Sequence, residues 1–431
     1  MILSSKRARR GLSVVLAAGL GLALTACGSG GAGGDGKSLT YWSMWKENEP
    51  QAKVLQEAAT AFEQANGIKV NIQWQGRDVL KKVAPALRGG DLPDLIDQEV
   101  SQVNATLVSS GAQRDLTGLF AADAGGKKVS DVVPDRYLAN AKKDGKPFLL
   151  PYTLLGFGIW FDGAALPEVA GKPITQWNDF TQLLAKRKSE GKNPLALDGD
   201  IGDYNGYWTI GLLQSQLGVG KVNELAKDPE GKAWNTEPVK TALGEIRKLV
   251  QNGYFIPGYD GSKFPAVQER WAQGQADFVY VGSWLPSETG EKAKPGFQFR
   301  FMPMPSLTGK VVVPSSIIGF AIPQRAKNAE AAEKFAAYFM RDEQLGKIAT
   351  VAGNIPANPK LPAPEKLADV GKALSENEVG RPLDGVDADF PGYNTEVFNP
   401  VNDQLIKGKI GVAEFLTQLA TAQANYWKKQ R

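Results

Sequence analysis

Residues 38–74, SLTYWSMWKENEPQAKVLQEAATAFEQANGIKVNIQW, decide the fold. Residues 39–42 are mostly aromatic or β-branched and predict a short β-strand. Apolar side chains then recur at helical spacing, which predicts an amphipathic helix beginning near Pro50: Val54, Leu55, Ala58, Ala59 and Phe62. Asn66-Gly67 ends that helix, and apolar residues alternate from 68 to 74 as in a second strand. The stretch is therefore a strand–helix–strand unit, which is typical of a parallel sheet.

The same alternation continues along the chain. A second helix is predicted over 78–88 and a third strand over 94–97, and two extended apolar runs follow at 148–152 and 157–161. Later segments of the same kind are a strand at 276–281, a crossing segment at 311–323 with a helix at 329–340, and an amphipathic tail helix at 412–427. We therefore expect an α/β fold, whose ligand site lies beyond the carboxyl ends of the strands.

The composition excludes several classes of protein. The 431 residues include no histidine and one cysteine. A Ser-His-Asp triad, an imidazole metal ligand, an internal disulfide framework and a cysteine-rich metal cluster are therefore absent. The length exceeds what one hydrophobic core usually serves, so two domains are expected.

Residues 1–26 predict an export signal. Lys6, Arg7, Arg9 and Arg10 precede an uncharged stretch, 11–26, that is shorter than the roughly 20 residues of a membrane span. The ending LTAC resembles a bacterial lipobox, which makes Cys27 the lipidated first residue of the mature chain. The alternative is an ordinary signal peptide with an incidental cysteine. Residues 27–37 are rich in Gly, Ser and Ala and predict a flexible tether.

The charge of the mature chain argues against nucleic acid as a partner. The chain holds 50 Lys plus Arg and 46 Asp plus Glu, and the signal segment contains four basic residues and no acidic one. Removing it leaves 46 residues of each sign. A balanced body exerts no long-range attraction on nucleic acid or on anionic substrates.

Short motifs in a fixed order resemble the extracellular solute-binding proteins of ABC transporters, specifically the large carbohydrate-binding group. The resemblance covers the whole mature chain. Its motifs are Trp42-Ser43-Met44-Trp45, Gly90-Asp91-Leu92-Pro93-Asp94-Leu95, Leu150-Pro151-Tyr152, Ile159-Trp160-Phe161-Asp162, Gly282-Ser283-Trp284 and Asn354-Ile355-Pro356-Ala357. It implies a two-lobe periplasmic-binding-protein-like fold of the class II type, with a ligand cleft between lobes joined by a hinge that the chain crosses more than once. Lobe I is expected at 38–157 plus 311–370, and lobe II at 158–310 plus 371–431.

A sugar cleft needs flat aromatic rings for C–H faces and polar side chains for hydroxyl groups, because an unpaired desolvated hydroxyl costs about 1–3 kcal/mol. Loops and strand ends that mix both kinds of residue supply the candidate ligand-binding side chains: Trp42, Trp45, Glu47, Arg77, Asp97, Gln98, Tyr152, Asn205, Tyr207, Trp208, Trp284, Glu288, Ser316 and Asn354. Trp284 is the expected stacking platform of lobe II. Ser315, Ser316, Asn354 and residues 387–393 are the weaker candidates.

Structural alternatives stay open for several of these candidates. Trp42, Trp45 and Trp208 are large enough to be core residues, and Arg77 can pair with its neighbour Asp78. The carboxylates after the third strand suit either hydroxyl binding or helix capping. The Asn104-Ala105-Thr106 glycosylation pattern is attributed to chance.

The expected function is that of a substrate-binding lipoprotein of an ABC importer. It captures a neutral oligosaccharide by cleft closure and delivers it to permease subunits served by a cytoplasmic ATPase. No catalytic residue, cofactor or metal is expected, and the protein is expected to be a monomer anchored through Cys27 to the extracellular face of the cytoplasmic membrane. The alternatives are a lipid-anchored glycoside hydrolase, for which two carboxylates suffice, and a binding protein for a polyamine, an anion or another non-sugar solute.

Overall fold

One large mixed sheet organises the computed structural model, which describes residues 36–430. The signal peptide, Cys27 and nearly all of the predicted tether lie outside the described residues. The strands are β1 Ser38–Ser43, β2 Lys69–Trp74, β3 Leu95–Glu99, β4 Lys142–Lys143, β5 Lys146–Pro147, β6 Leu150–Asp162, β7 Leu195–Ala196, β8 Phe278–Gly282, β9 Phe299–Met302, β10 Val312–Ala321, β11 Ile355–Pro356 and β12 Glu378–Gly380. β4 and β5 pair only with each other.

Helices fill most of the connections. They are α1 Pro50–Asn66, α2 Val79–Ala86, α3 Val100–Val103, α4 Thr117–Phe120, α5 Val129–Val132, α6 Pro167–Gly171, α7 Trp177–Ser189, α8 Gly202–Leu217, α9 Lys221–Lys227, α10 Glu237–Gln251, α11 Ala266–Ala272, α12 Leu285–Thr289, α13 Ala329–Phe339, α14 Asp342–Leu345, α15 Lys347–Thr350, α16 Ala368–Glu376, α17 Val386–Asp389, α18 Asn399–Ile406 and α19 Val412–Gln430. Short 3₁₀ turns and two π-helical turns, Asn104–Val108 and Asn394–Phe398, complete the set.

The opening strand–helix–strand unit is confirmed. β1 pairs in parallel with β2 over its whole length and with β3 at its carboxyl end. α1 starts at Pro50, whose missing N–H is not needed at that position, and its apolar stripe is buried. Gly67 closes the helix in the left-handed region, at φ 67°, and its N–H donates to the Glu63 carbonyl at 2.9 Å.

The expected parallel sheet is only partly found. The strand order is β2-β1-β3-β10-β6-β8-β7, in which β10 runs antiparallel to both β3 and β6, and β6 runs antiparallel to β8. The sequences of continuous apolar strands such as β6 and β10 do not indicate whether they run parallel or antiparallel to their neighbours, because buried strands of both kinds share the same composition.

β6 is one continuous strand of 13 residues, where the sequence predicted two separate runs. Its first part pairs with β10, with Ser316 opposite Leu155 and Ser315 opposite Gly156. Its second part pairs with β8 and β9, starting at Phe157 opposite Gly282. The change of partners falls between Gly156 and Phe157.

Two hydrophobic clusters surround the sheet. One includes Tyr41, Phe62 and Phe335, and the other includes Trp208 and Trp234. A few half-buried side chains pack against both clusters and mark the seam between them: Leu155, Tyr204, Tyr259 and Trp284. In residues 36–430, no helix is both long and apolar enough to cross a membrane.

Candidate functional site

A cavity of about 470 Å³ lies along the seam between the two clusters. Its lining comes from the end of β3, the middle of β6 and β10, the start of α8, Trp284, and the segment 381–394. Strand ends and helix starts therefore meet here, as an open α/β sheet predicts for its ligand site.

Three aromatic rings form one side of the cavity. Phe157 on β6 lies at the centre, with its ring centroid 5.2 Å from that of Tyr207 and 5.3 Å from that of Trp284. Both neighbouring rings meet it edge to face, a favourable aromatic geometry. Leu155 on the same strand adds aliphatic surface. This side of the cavity therefore offers flat apolar surface, and we call Phe157, Tyr207 and Trp284 the aromatic floor.

Gly282 at the end of β8 allows Trp284 to sit where it does. A Cβ atom at Gly282 would lie only 2.0 Å from Cζ3 of the Trp284 ring and 2.4 Å from its Cε3. Real side chains do not approach so closely, so the ring position depends on glycine at this residue.

The opposite side of the cavity is polar and centres on Glu99. Its carboxylate accepts the N–H of Ser101 at 2.9 Å and that of Gln102 at 3.4 Å, and it thereby caps α3. The hydroxyl groups of Ser101 and Ser316 also hydrogen-bond to it. Glu99 therefore sits in a fixed position, and it brings Ser316 of β10 into the same polar patch.

Asp203 and Tyr207 lie one turn apart on α8, so both face the cavity. Burial, and secondarily the Asp203 carboxylate, raises the pKa of Tyr207 well above its ordinary value. The phenol therefore stays neutral near pH 7 and both donates and accepts hydrogen bonds. Burial also raises the pKa of Asp387, and the nearby Asp203 carboxylate adds to the effect. The carboxylates of Asp203 and Asp387 thus lie close enough to influence each other.

An unusual turn forms part of the cavity wall. Leu383, Asp384 and Gly385 all have left-handed backbone angles, with φ of 47°, 53° and 68°. A left-handed residue other than glycine costs roughly 1–2 kcal/mol, so the turn must be held by other contacts. The buried Asp384 carboxylate supplies them: it accepts the N–H groups of Gly220, Val222 and Asn223 at 2.8–3.1 Å, and the side-chain amide of Gln214 at 2.9 Å.

Two further contacts frame the cavity. Arg381 forms a two-pronged ion pair with Asp389 at 2.8 and 2.9 Å. The side-chain amide of Asn104, at the start of a π-helical turn, donates to the Ala388 carbonyl at 3.0 Å. This last bond joins the polar side of the cavity to the segment that carries the left-handed turn.

Three of the predicted ligand-binding residues meet in this cavity: Tyr207, Trp284 and Ser316. Ser315 and members of the weaker 387–393 group also line it. The other predicted residues do not line it, and their positions fall into two groups.

The first group forms a buried network under the carboxyl ends of β1 and β3. The Trp45 indole donates to the Tyr152 hydroxyl at 2.7 Å, which donates to Asp97 at 2.6 Å. Asp97 also accepts the Met44 N–H at 2.8 Å. Burial raises the pKa of Asp97 and of Tyr152. Asp97 lies within β3 and not beyond its end, and all three predicted side chains are enclosed, which corrects the expectation that they face a solute.

Arg77 and Gln98 extend this network. The Arg77 guanidinium lies 4.5 Å from the centre of the Trp45 ring and pairs with Glu49 at 2.6 Å, while Asp78 pairs with Lys81. The Gln98 amide donates to the Arg77 carbonyl at 2.9 Å. Both predicted side chains therefore support the loop around Trp45.

The second group is scattered. Trp208 and Asn205 are fully enclosed beside the second cluster, which corrects their assignment as ligand contacts. Trp208 packs on Phe255 and Tyr280, and the Asn205 side-chain amide donates to Asp403.

The other members of the second group lie elsewhere. Trp42 is half-buried beside the first cluster, and Glu47 is exposed. The Asn354 side chain accepts a hydrogen bond from Gln51 at 2.6 Å. Glu288 is exposed outside the cavity, where it accepts a bond from Gln268 at 3.0 Å.

Sequence reasoning missed several lining residues. Phe157 was assigned only to a strand, and Asn104 only to a glycosylation pattern, although an amide beside a strand end is a usable polar signal. Arg381 and the left-handed turn carry no sequence signal that distinguishes them from an ordinary loop. Within the described part of the chain, no group of carboxylate or other ligating side chains is placed to hold a metal ion.

Comparison with known proteins shows the family of the chain. The family model of bacterial extracellular solute-binding proteins matches residues 57–373. The chain belongs to this family. Its members bind solutes outside the cytoplasm, and the two-lobe fold of solute-binding proteins is the one expected from the sequence motifs.

Individual relatives support the assignment of the chain to this family. It is 26% identical over 314 residues to the diacetylchitobiose binding protein NgcE of Streptomyces coelicolor, covering 68% of this chain and 66% of that one. It is 22% identical to the multiple sugar-binding protein of Streptococcus mutans, covering 74% of this chain and 75% of that one. The apo structure of RafE from Streptococcus pneumoniae superposes with a TM-score of 0.76 at 19% identity, covering 90% of this chain and 97% of RafE.

Proposed function

We propose that this solute-binding protein captures a neutral oligosaccharide in the seam cavity and serves an ABC importer as its substrate-binding lipoprotein. The observation that carries the proposal is the aromatic floor of Phe157, Tyr207 and Trp284 facing a polar side built on Glu99 and Ser316. A sugar ring presents the matching pair of surfaces, an apolar C–H face and a rim of hydroxyl groups. Aromatic rings cover the first, and fixed acceptors and hydroxyl groups satisfy the second.

The charges around the cavity argue against an anionic ligand. Arg381 is engaged by Asp389 and Lys142 by Asp135, so neither cation is free for an anionic solute. Glu99 is already surrounded by hydrogen-bond donors. An anion would have to displace these internal contacts, whereas hydroxyl groups can share the remaining lone pairs and donors.

The names of the relatives favour an oligosaccharide over a single sugar, and the size of the cavity allows one. The cavity volume of about 470 Å³ lies within the range of about 300–1,000 Å³ that is usual for enclosed small ligands. The names of its relatives, a diacetylchitobiose binding protein and a multiple sugar-binding protein, point to the same class. Uncharged chains of acetylated amino sugars are therefore the first ligands to test.

Closure and delivery complete the proposal. The change of β6 partners between Gly156 and Phe157 lies one residue before the expected boundary between lobe I and lobe II, so rotation there would close the cleft. Cys27 would anchor the protein by a lipid to the extracellular face of the cytoplasmic membrane. The partners would be separate permease subunits with a cytoplasmic ATPase, and the protein would act as a monomer without enzymatic activity.

A thermal-shift and calorimetry panel tests this proposal. The panel contains uncharged chains of N-acetylglucosamine, glucose and xylose, with a polyamine and a sulfated sugar as charged probes. We expect at least one neutral chain to bind and to raise the melting temperature, and the charged probes to have no effect. Binding of a charged probe alone would refute the proposal. Release of reducing ends during incubation with the bound chain would assign the protein to the glycoside hydrolases instead.

A further inference from the structure

A row of aromatic rings continues from the cavity to the protein surface. Tyr207 of the aromatic floor lies 5.7 Å from Tyr204, and Tyr204 lies 6.2 Å from Phe264. Tyr204 and Tyr207 are three residues apart on α8 and therefore share a face of the helix. Tyr204 and Phe264 do not line the cavity, so the row extends beyond it.

Phe264 is exposed to an unusual degree. Among residues 36–430, the large hydrophobic side chains that are exposed are Phe264, at 40%, and Val351, at 37%. Single exposed apolar side chains are ordinary, but this one ends a continuous row of rings that begins in the ligand cavity.

The loop that carries Phe264 is held in place. The Phe264 N–H donates to the Asp200 carboxylate at 3.0 Å, and the Gly199 N–H donates to the Ser262 hydroxyl at 3.0 Å. These bonds connect the loop to the segment that leads into α8. The exposed ring is therefore prepositioned relative to Tyr204, which reduces the entropy lost when a ligand packs on it.

Polar groups flank the row as they flank the cavity. Burial raises the pKa of Tyr204 to about 12, and the carboxylates of Glu288 and Asp203 are close enough to add to this shift. Glu288 is exposed and bonded to Gln268, so it retains free acceptor positions. Flat rings beside carboxylate acceptors repeat the combination of the aromatic floor with the polar side that centres on Glu99.

We propose that Tyr204, Phe264 and Glu288 form an outer stretch of the binding site, which holds the distal rings of a carbohydrate chain whose first rings occupy the cavity. The proposal rests on the proposed oligosaccharide function. It makes chain length a determinant of affinity, because a chain too short to leave the cavity gains nothing from Phe264.

Calorimetry with chains of two to six N-acetylglucosamine, glucose or xylose rings tests the outer stretch. Wild type, Phe264→Ala and Phe264→Trp are compared, and Val351→Ala serves as the matched control because it removes the other exposed apolar side chain. We expect Phe264→Ala to weaken binding of the longest chains about fivefold, or about 1 kcal/mol, and to leave the shortest bound chain within about twofold. Phe264→Trp should retain the length dependence, and Val351→Ala should match wild type.

The outcomes separate this inference from the proposed function. No binding of any chain by wild type would remove the proposed function, and the outer stretch with it. Binding that does not depend on Phe264 at any chain length would overturn the outer stretch alone. Dimers of the wild type that Phe264→Ala dissociates, measured by sedimentation, would assign the ring to a second copy of the chain and would also overturn it.

Discussion

One added methyl group at Gly282 should displace the Trp284 ring and weaken oligosaccharide binding about tenfold. In Gly282→Ala, the new Cβ would lie 2.0, 2.3 and 2.4 Å from three ring atoms of Trp284, whereas ordinary contacts begin at 3.4 Å. The ring must therefore withdraw. Trp284 is only half-buried, so it can turn toward solvent without unfolding the strand beneath it.

The size of the effect follows from the surface that the ring offers. A sugar face that covers about 60 Å² of apolar ring surface gains about 1.5 kcal/mol at about 25 cal/mol per Å². Losing that contact corresponds to about a tenfold rise in Kd. The backbone of Gly282 is outside the left-handed region, so the cost to stability should lie near the lower end of the roughly 1–3 kcal/mol typical of overpacking.

The assay is isothermal calorimetry with the neutral chain that binds best, together with thermal unfolding of the empty protein. Gly244→Ala is the matched control, because its Cβ has no neighbour within 4 Å and it lies in the middle of α10. Trp284→Ala gives the full loss of the ring, which should be at least about 1 kcal/mol. A folded Gly282→Ala protein with the affinity of wild type would refute the placement of Trp284 as a stacking ring.

Three further predictions concern buried and titrating groups. Trp208→Ala should lower the free energy of unfolding by about 3–5 kcal/mol in denaturant titrations, since this ring is fully enclosed, and a smaller loss than in Trp284→Ala would contradict its core position. Affinity should change less than about twofold between pH 6 and 8, because the chain has no histidine. A steep change measured by calorimetry in that window would contradict the assignment of the site. Burial raises the pKa of the Asp97 carboxyl in the folded protein. The stability that this shift contributes is fully present below the pKa of the unfolded chain, about 3.9, and is lost as pH rises through the folded-state pKa. Between pH 3 and 7, the free energy of unfolding of wild type should therefore fall relative to that of Asp97→Asn. A difference between the two free energies that stays constant over this range would contradict the raised pKa of Asp97.

The sequence predicted the elements better than their arrangement. The opening strand, α1 and the second strand were recognisable because their apolar residues repeat with the period of each structure. The antiparallel position of β10 between β3 and β6 was not predictable in this way, since the partners are far apart in the chain. The two runs that merge into β6 are fully apolar, and such runs do not show where a strand changes partners.

The site was predicted only in part for a related physical reason. Tyr207 and Trp208 are adjacent on one helix, and a difference of about 100° in direction sends one to the cavity and the other to the core. From the residue types alone, both are candidate rings for stacking against a sugar. The network of Trp45, Tyr152 and Asp97 has the residue types of a sugar site, but these groups satisfy one another. Only the folded contacts distinguish a self-satisfied polar cluster from one that is open to a ligand.

The left-handed turn of Leu383 and Asp384 has a consequence for how such a protein diversifies. Its shape is held by Asp384, a buried carboxylate anchored to the start of α9. If the proposed site is correct, related chains can change their preferred sugar by substituting side chains that line the cavity, such as Tyr207 or Ser316. Substitution of Asp384 would instead remove the hydrogen bonds that hold the left-handed turn, and so change the shape of the cavity wall. Sequence variation should therefore be more restricted at Asp384 than at the residues that line the cavity, although Asp384 does not line it.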